Sequence, residues 1–297
     1  MREIFMGLAR TPIRSFTACL LFWTMASVPV LASQAQILVD ASSRAVLLAK
    51  NADMPIRPAS LTKMMTLYLT FEALGRGTLS WDERIAVSRA AAGTVPYKLD
   101  VPAGGTETVR EAVNGIIVLS ANDAAIALAE RLGGSEARFA GMMTAKARQL
   151  KMTDTTFRNA TGLTAEGQLT TARDMAVLGL ALMQHFPRQF SLFSMKTTQF
   201  RGKRLTGHNY MLDLYPGVDG IKTGYTSASG YNVVTSVKRG NRHYVGVAMG
   251  YPTDKARDQA MVRLFEDKFG GRSSGGRSDP PAAATGKPAL GGAVGLY

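Results

Sequence analysis

Between Ser60 and Leu74 the apolar residues Leu61, Met64, Met65, Leu67, Tyr68, Leu69, Phe71 and Leu74 surround a predicted helix that Gly75 and Gly77 terminate. A helix that is apolar all round has to lie inside a protein, so this chain must wrap other elements about residues 60–74. One residue contradicts that setting. Lys63 stands in the first turn, three residues after Ser60, where burying an ammonium group costs free energy.

The wrapping comes from both ends of the sequence. Two short apolar runs, Ile37 to Val39 and Ala45 to Leu48, flank a polar turn and predict a hairpin. Far downstream, Tyr231 to Val237 and His243 to Met249 flank "RGN" and predict a second. Between them lie helical patterns over "TVREAVNGIIVL", "DAAIALAERLGG", Ala137 to Leu150, and Ala172 to Met183, the last capped by Thr170 or Thr171. A final helix spans Asp254 to Phe269. The expected fold is therefore mixed α/β (α+β): an antiparallel sheet taking strands from both termini, flanked by helices, with an all-helical block inserted. At 297 residues the chain can bury a sizeable core.

The two extremities read differently. Arg2, Arg10 and Arg14 precede an apolar run from Phe16 to Leu31, and small residues follow, so residues 1–35 read as a secretory signal. The run falls short of the roughly 18 to 20 residues that a spanning helix needs. Cys19, the single cysteine, lies inside it, so a mature chain starting near Ser33 or Gln36 would have no thiol or disulfide chemistry. Residues 36–271 would form the folded domain, and 272–297 a Gly/Pro/Ala-rich tail too poor in apolar residues to pack. Formal charge is +13; Arg2, Arg10 and Arg14 less Glu3 supply +2, leaving +11 beyond the signal. The basic residues are scattered, without a zinc-finger or ribonucleoprotein pattern, so nucleic acid is not the expected partner. Weak association with an anionic envelope surface, or simple solubility, accounts for the excess.

Three motifs carry chemistry. Ser60 and Lys63 share a helix face, and a serine becomes a nucleophile once a base takes its proton. Lysine can be that base if burial and a nearby cation bring its pKa down from about 10.4. A polar break, "SAN" at Ser120 to Asn122, interrupts two apolar helices, where Asn122 could serve a site, cap the following helix, or both. The third is "DGIKTGYT". Lys222 and Thr223 at a strand edge can bind a carboxylate, and Gly224 removes a side chain that would block an approaching backbone.

Ser-x-x-Lys, Ser-x-Asn and Lys-Thr-Gly in this order form the signature of penicillin-binding proteins and class A β-lactamases. With "RPASLTKMMT", "LSANDAAIALAE", "NATGLTAEGQLTTARDMA" and "GVDGIKTGYTSASGYNVV", the chain from about Gln36 to Gly270 resembles the serine-type D-alanyl-D-alanine carboxypeptidases, the low-molecular-mass penicillin-binding proteins. The resemblance implies that family's transpeptidase/β-lactamase-like fold. It implies Ser60 as the acylated nucleophile, Lys63 as its base, Ser120 as a proton relay to the leaving D-alanine, and Asn122 as a holder of the substrate amide. Lys222 and Thr223 would bind the terminal carboxylate, and the backbone N–H groups of Ser60 and Tyr225 would form the oxyanion hole. The best-known members carry histidine where this chain has Tyr225. Arg257 would join the carboxylate pocket or face solvent.

The implied activity is removal of terminal D-alanine from peptidoglycan stem peptides outside the cytoplasm, periplasmic or at the outer face of the membrane, with β-lactam antibiotics acylating the same serine. No cofactor is expected. Longer members add a β-rich domain and an amphipathic membrane helix, which the 26 residues after Gly271 do not contain. Two alternatives stand beside this reading: a class A-like β-lactamase and a non-catalytic envelope-binding module. For the first, "EGQLT" from Glu166 lacks the asparagine that accompanies a deacylating glutamate, so Glu166 reads as a solvent loop residue. "GRSSG" from Gly271 to Gly275 mimics a nucleophile elbow without a preceding strand. His185, His208 and His243 are far apart and form no zinc motif.

Overall fold

The computed structural model describes residues 34–270 together with Met1. The expected signal, apart from Met1 and its last two residues, and the tail with its "GRSSG" lie outside the described residues. Five antiparallel strands form one sheet: β1 (Ala35–Asp40), β2 (Val46–Lys50), β3 (Val218–Thr226), β4 (Gly230–Arg239) and β5 (Arg242–Tyr251), in the spatial order β2-β1-β5-β4-β3. The N-terminal hairpin thus joins the C-terminal meander through β1 and β5, where Ile37 faces Val247. Ala35, read as the end of the signal, is already a buried strand residue paired with Met249.

Both faces of the sheet are covered, and the period of two in a strand sorts its side chains between them. On β5, Val245, Val247 and Met249 join the main core, whereas Tyr244 and Ala248 join a second core with Met261, Leu264 and Phe265. The second core belongs to helix Asp254–Phe269, which starts where the Thr253 hydroxyl accepts from the Ala256 N–H. Helix Ala172–His185 covers the opposite face. Thr171, one of the two candidate caps, accepts from Asp174 N–H and caps it. Gly179 lets that helix close onto the sheet: a Cβ there would sit 3.1 Å from a Val245 methyl.

The helix expected over 60–74 is buried as its composition requires, but it opens differently. Ala59–Thr62 form a 3-10 turn, and the α-helix proper, α1, spans Lys63–Gly75. Phe71, Leu67, Met64 and Met65 are fully buried in the main core. Truncating Phe71 to alanine would cost about 3 to 5 kcal/mol. The inserted helical block comprises α2 (Val109–Val118), opened by a Thr108–Glu111 capping box, α3 (Asn122–Gly133) and α4 (Glu136–Gln149). Two short hairpins, Arg84–Ala86 with Thr106–Thr108 and Thr197–Phe200 with Lys203–Thr206, were not anticipated, being too short to display alternation.

Candidate active site

The three motifs converge where the 3-10 turn, the break between α2 and α3, and edge strand β3 meet. The Ser60 turn is pressed against β3. Gly224 is required there, since a Cβ would lie 2.9 Å from Ser60 N and 3.0 Å from Leu61 N. The approaching backbone that this glycine admits is therefore the protein's own nucleophile turn. A second glycine, Gly162, approaches from the other side at φ +85°, where a Cβ would fall 1.8 Å from the Ala59 carbonyl oxygen. Between them Ala59 is held at φ +47°, a left-handed conformation that costs an alanine about 1 to 2 kcal/mol. Such strain collects at functional sites because the surrounding structure over-determines the backbone.

Lys63 is fully buried, and its amine is held from three directions. It donates to Ser60 Oγ at 3.1 Å, to Asn122 Oδ1 at 2.7 Å and to the Thr161 carbonyl at 2.6 Å. That carbonyl is delivered by the turn Asn159–Gly162, in which Asn159 Oδ1 accepts from Gly162 N–H at 2.7 Å. Burial first, and the neighbouring charge of Lys222 second, hold the Lys63 amine well below its ordinary pKa of 10.5. A neutral amine hydrogen-bonded to a serine hydroxyl can accept its proton.

Asn122 begins α3 but does not cap it. Its Oδ1 aims Lys63, and its Nδ2 donates to the carbonyls of Val95 and Pro96 at 3.0 and 3.1 Å. A second lone pair on Oδ1 leaves room for a substrate N–H. Ser120 sits at φ +64° between the helices, and its buried Oγ has no hydrogen-bond partner among the described residues. Such a hydroxyl is held ready for a group that arrives.

Lys222, on β3, is buried with its amine on the Thr223 carbonyl at 2.9 Å. Burial and the Arg257 charge bring its pKa down to about 7. Arg257 is only 3% exposed and pairs with Asp258 at 2.8 Å, so it is not a solvent residue. Thr223 is half-buried beside Lys222. Tyr225 is 52% exposed, with its ring stacked 4.2 Å from that of Tyr231. Glu166 is exposed at a turn. Among the described residues no cluster of His, Cys, Asp and Glu could hold a metal ion, and no helix is long and apolar enough to cross a membrane.

A family profile described as D-alanyl-D-alanine carboxypeptidase, peptidase family S11, matches residues 23–253. The chain belongs to this family. Escherichia coli D-alanyl-D-alanine carboxypeptidase DacC is 37% identical over 244 residues, 80% of this chain and 61% of that protein. Penicillin-binding protein 5 from Haemophilus influenzae has a similar structure, with TM-score 0.77 and 33% identity over 82% of this chain and 72% of that one. Penicillin-binding protein D2 from Listeria monocytogenes, solved in a cefotaxime-bound form, gives TM-score 0.73 and 30% identity over 80% of this chain and 96% of that one. The chain spans about three fifths of the length of the first curated relatives it matches.

Against this family's motifs, two contributors were missed in the sequence. The Thr161 carbonyl is one; its only trace was the "NATG" turn, since a backbone group leaves no residue-type signal. The other is the loop Val95–Tyr97, whose carbonyls orient Asn122: Tyr97 O accepts from Asn122 N at 2.7 Å. Two of the histidines have structural partners. His185 bonds the Tyr68 hydroxyl at 2.7 Å and His243 bonds Asp219 at 3.0 Å.

Proposed function

We propose that this protein is a serine DD-carboxypeptidase, acting outside the cytoplasm on peptidoglycan stem peptides that end in D-Ala-D-Ala. Ser60 gives its proton to neutral Lys63 and attacks the carbonyl of the penultimate residue. The oxyanion draws on the backbone N–H groups of Ser60 and Tyr225, each such donor being worth about 100- to 1000-fold in rate. Ser120 passes a proton to the departing D-alanine, Asn122 contacts the substrate amide, and Lys222, Thr223 and Arg257 take the terminal carboxylate. Water then hydrolyses the acyl-enzyme.

The observation that carries this reading is the buried amine of Lys63, 3.1 Å from the Ser60 hydroxyl and shifted toward its neutral form. The exposed position of Glu166 favours slow release of a penicilloyl group over β-lactamase action. The signal read in residues 1–35 supports export. Mass spectrometry of the protein after benzylpenicillin should find one penicilloyl adduct, on the peptide containing Ser60. The same preparation should release D-alanine from diacetyl-Lys-D-Ala-D-Ala. An adduct elsewhere, or penicillin cleared many times faster than D-alanine is released, would refute the assignment.

A further inference from the structure

The hairpin of Thr197–Phe200 with Lys203–Thr206 carries a cluster of charge that the chemistry at Ser60 does not use. Its turn is two residues long, Arg201 and Gly202, with Phe200 facing Lys203. Both turn residues have positive φ, +47° and +79°, a geometry that asparagine followed by glycine adopts most readily. An arginine in the first place is strained, and strain of this kind collects at functional sites. Arg201, Lys203 and Arg204 are all exposed, as is Arg84 on the strand Arg84–Ala86.

Arg201 Nη2 donates to the Thr106 carbonyl at 2.8 Å, and Arg84 Nη2 donates to the same oxygen at 3.4 Å while its Nε donates to Thr106 Oγ1 at 2.8 Å. Two guanidiniums therefore stand side by side on one neutral acceptor, where their like charges repel. Among the described residues none of the four cations pairs with a carboxylate, whereas the exposed Arg76, Arg110 and Arg131 each do. Glu107, next to Thr106, is buried with no partner for either oxygen, so it pairs with neither guanidinium. The hairpin runs beside α2. At its base the Gly207 N–H donates to the Lys196 carbonyl, and a Cβ on Gly207 would sit 3.2 Å from the carbonyl of Val118, two residues before Ser120. At its tip Arg201 reaches Thr106, just before α2 begins at Val109. The 10 residues of α2, at about 1.5 Å each, put the cluster about 15 Å from Ser120.

We propose that Arg84, Arg201, Lys203 and Arg204 form an exosite for the polymeric substrate, binding carboxylates of stem peptides adjacent to the one held at Ser60. This rests on the carboxypeptidase reading above. Each stem peptide ends in a carboxylate, so a strand bearing many of them is a polyanion, and the guanidinium fork matches a carboxylate with two hydrogen bonds. Hydrolysis of the terminal peptide bond frees D-alanine and leaves a new carboxylate on the shortened stem. The strand therefore keeps its charge as it is trimmed, and the exosite holds it through successive cleavages. A short soluble peptide at Ser60 does not span about 15 Å along α2, so its turnover is independent of the cluster.

The test uses the full chain and compares wild type with Arg84→Gln/Lys203→Gln/Arg204→Gln and with Arg138→Gln/Lys151→Gln/Arg188→Gln, which removes exposed charges elsewhere. The substrates are soluble peptidoglycan strands with intact D-Ala-D-Ala stems and diacetyl-Lys-D-Ala-D-Ala. Exposed ion pairs contribute up to a few-fold each, so at low salt the cluster variant should lose about tenfold in kcat/KM on strands. It should lose less than about twofold on the short peptide, which also shows that it is folded, and the control variant should stay within about threefold on both. In about 0.5 M salt the wild type should fall to the level of the cluster variant on strands. Sedimentation with insoluble peptidoglycan reads binding without turnover, and vesicles containing phosphatidylglycerol read attachment to a lipid surface. Equal losses on strands and short peptide, equal losses in the two variants, undiminished sedimentation of the cluster variant, or cluster-dependent binding to vesicles but not to strands would overturn the proposal. Wild-type protein that releases no D-alanine from either substrate would instead overturn the carboxypeptidase reading, while sedimentation would still decide the exosite.

Discussion

Glu107 offers a stability test independent of the chemistry. It lies in the strand Thr106–Thr108 opposite Ile85, is fully buried, and neither carboxyl oxygen has a hydrogen-bond partner among the described residues. Burial first, then the charges of Asp123 and Glu111, raise its pKa from 4.5 to about 8, with Arg201 opposing. A carboxyl whose folded value exceeds its unfolded value takes up a proton on folding between the two. Its destabilising effect is therefore absent below about pH 4.5 and complete above about pH 8. At about 1.4 kcal/mol for each tenfold in proton affinity, the full effect is about 5 kcal/mol, and the part present at pH 7 is about 3 kcal/mol. Glu107→Gln keeps the shape of the protonated acid and removes the titration. Urea unfolding and thermal melts at pH 5, 7 and 8 should find the variant nearly equal to wild type at pH 5. At pH 7 it should be more stable by about 3 kcal/mol, or about 6 to 12 °C in Tm. A difference that does not change with pH, or a variant less stable than wild type at pH 8, would refute the reasoning.

Three further outcomes follow from the site. The rate of penicillin acylation should rise with pH through an apparent pKa well below 10.5 as Lys63 loses its proton; a rise confined to pH near 10 would remove Lys63 as the base. Because Lys222 loses its charge as pH passes about 7, KM for a peptide with a free terminal carboxylate should climb above that pH while KM for the amide stays level, and Lys222→Ala should cost at least about tenfold on the acid. Gly162→Ala combines an unfavourable φ of +85° with a Cβ 1.8 Å from the Ala59 oxygen, so it should lower Tm by about 5 °C or more and slow acylation of Ser60; an unchanged melt would mean the turn yields freely.

What the sequence made legible was what depends on periodicity or on short spacing. Four of the five strands of the sheet follow from two apolar hairpins at opposite ends, the fifth from the strand edge read at Lys222 and Thr223, and the buried α1 from residues apolar on every side. Ser60 and Lys63 could be paired because three residues of helical or 3-10 chain bring them onto one face. Arg257 was undecided because a helix places an arginine toward core or solvent according to neighbours distant in sequence, and only the fold buries it near enough to Lys222 on β3 for the two charges to interact. Gly224 was read as admitting an approaching peptide backbone, whereas the backbone that comes close to it in the fold is the Ser60 turn, which the sequence could not show.

The order of causes acting on Lys63 decides whether it can remain a base once substrate is bound. In the free protein, burial is the largest influence lowering its pKa and the charge on Lys222 the second, with Asp123 and Glu136 opposing. A substrate carboxylate settling on Lys222 would favour the charged form of that lysine and at the same time neutralise its field, so the second influence fades as the complex forms. Burial does not fade, because the substrate covers the half-buried Ser60 and excludes more water from Lys63. Asn122 Oδ1 and the Thr161 carbonyl accept from the amine in either protonation state, whereas the Ser60 hydroxyl accepts from the charged form and donates to the lone pair of the neutral one, so the three orient the amine without adding a formal negative charge. Had the site placed a carboxylate there instead, the lysine would keep its proton and Ser60 would have no base. Neutral acceptors around a buried amine are what make the Ser60–Lys63 pair nucleophilic both before and after the substrate's charge arrives.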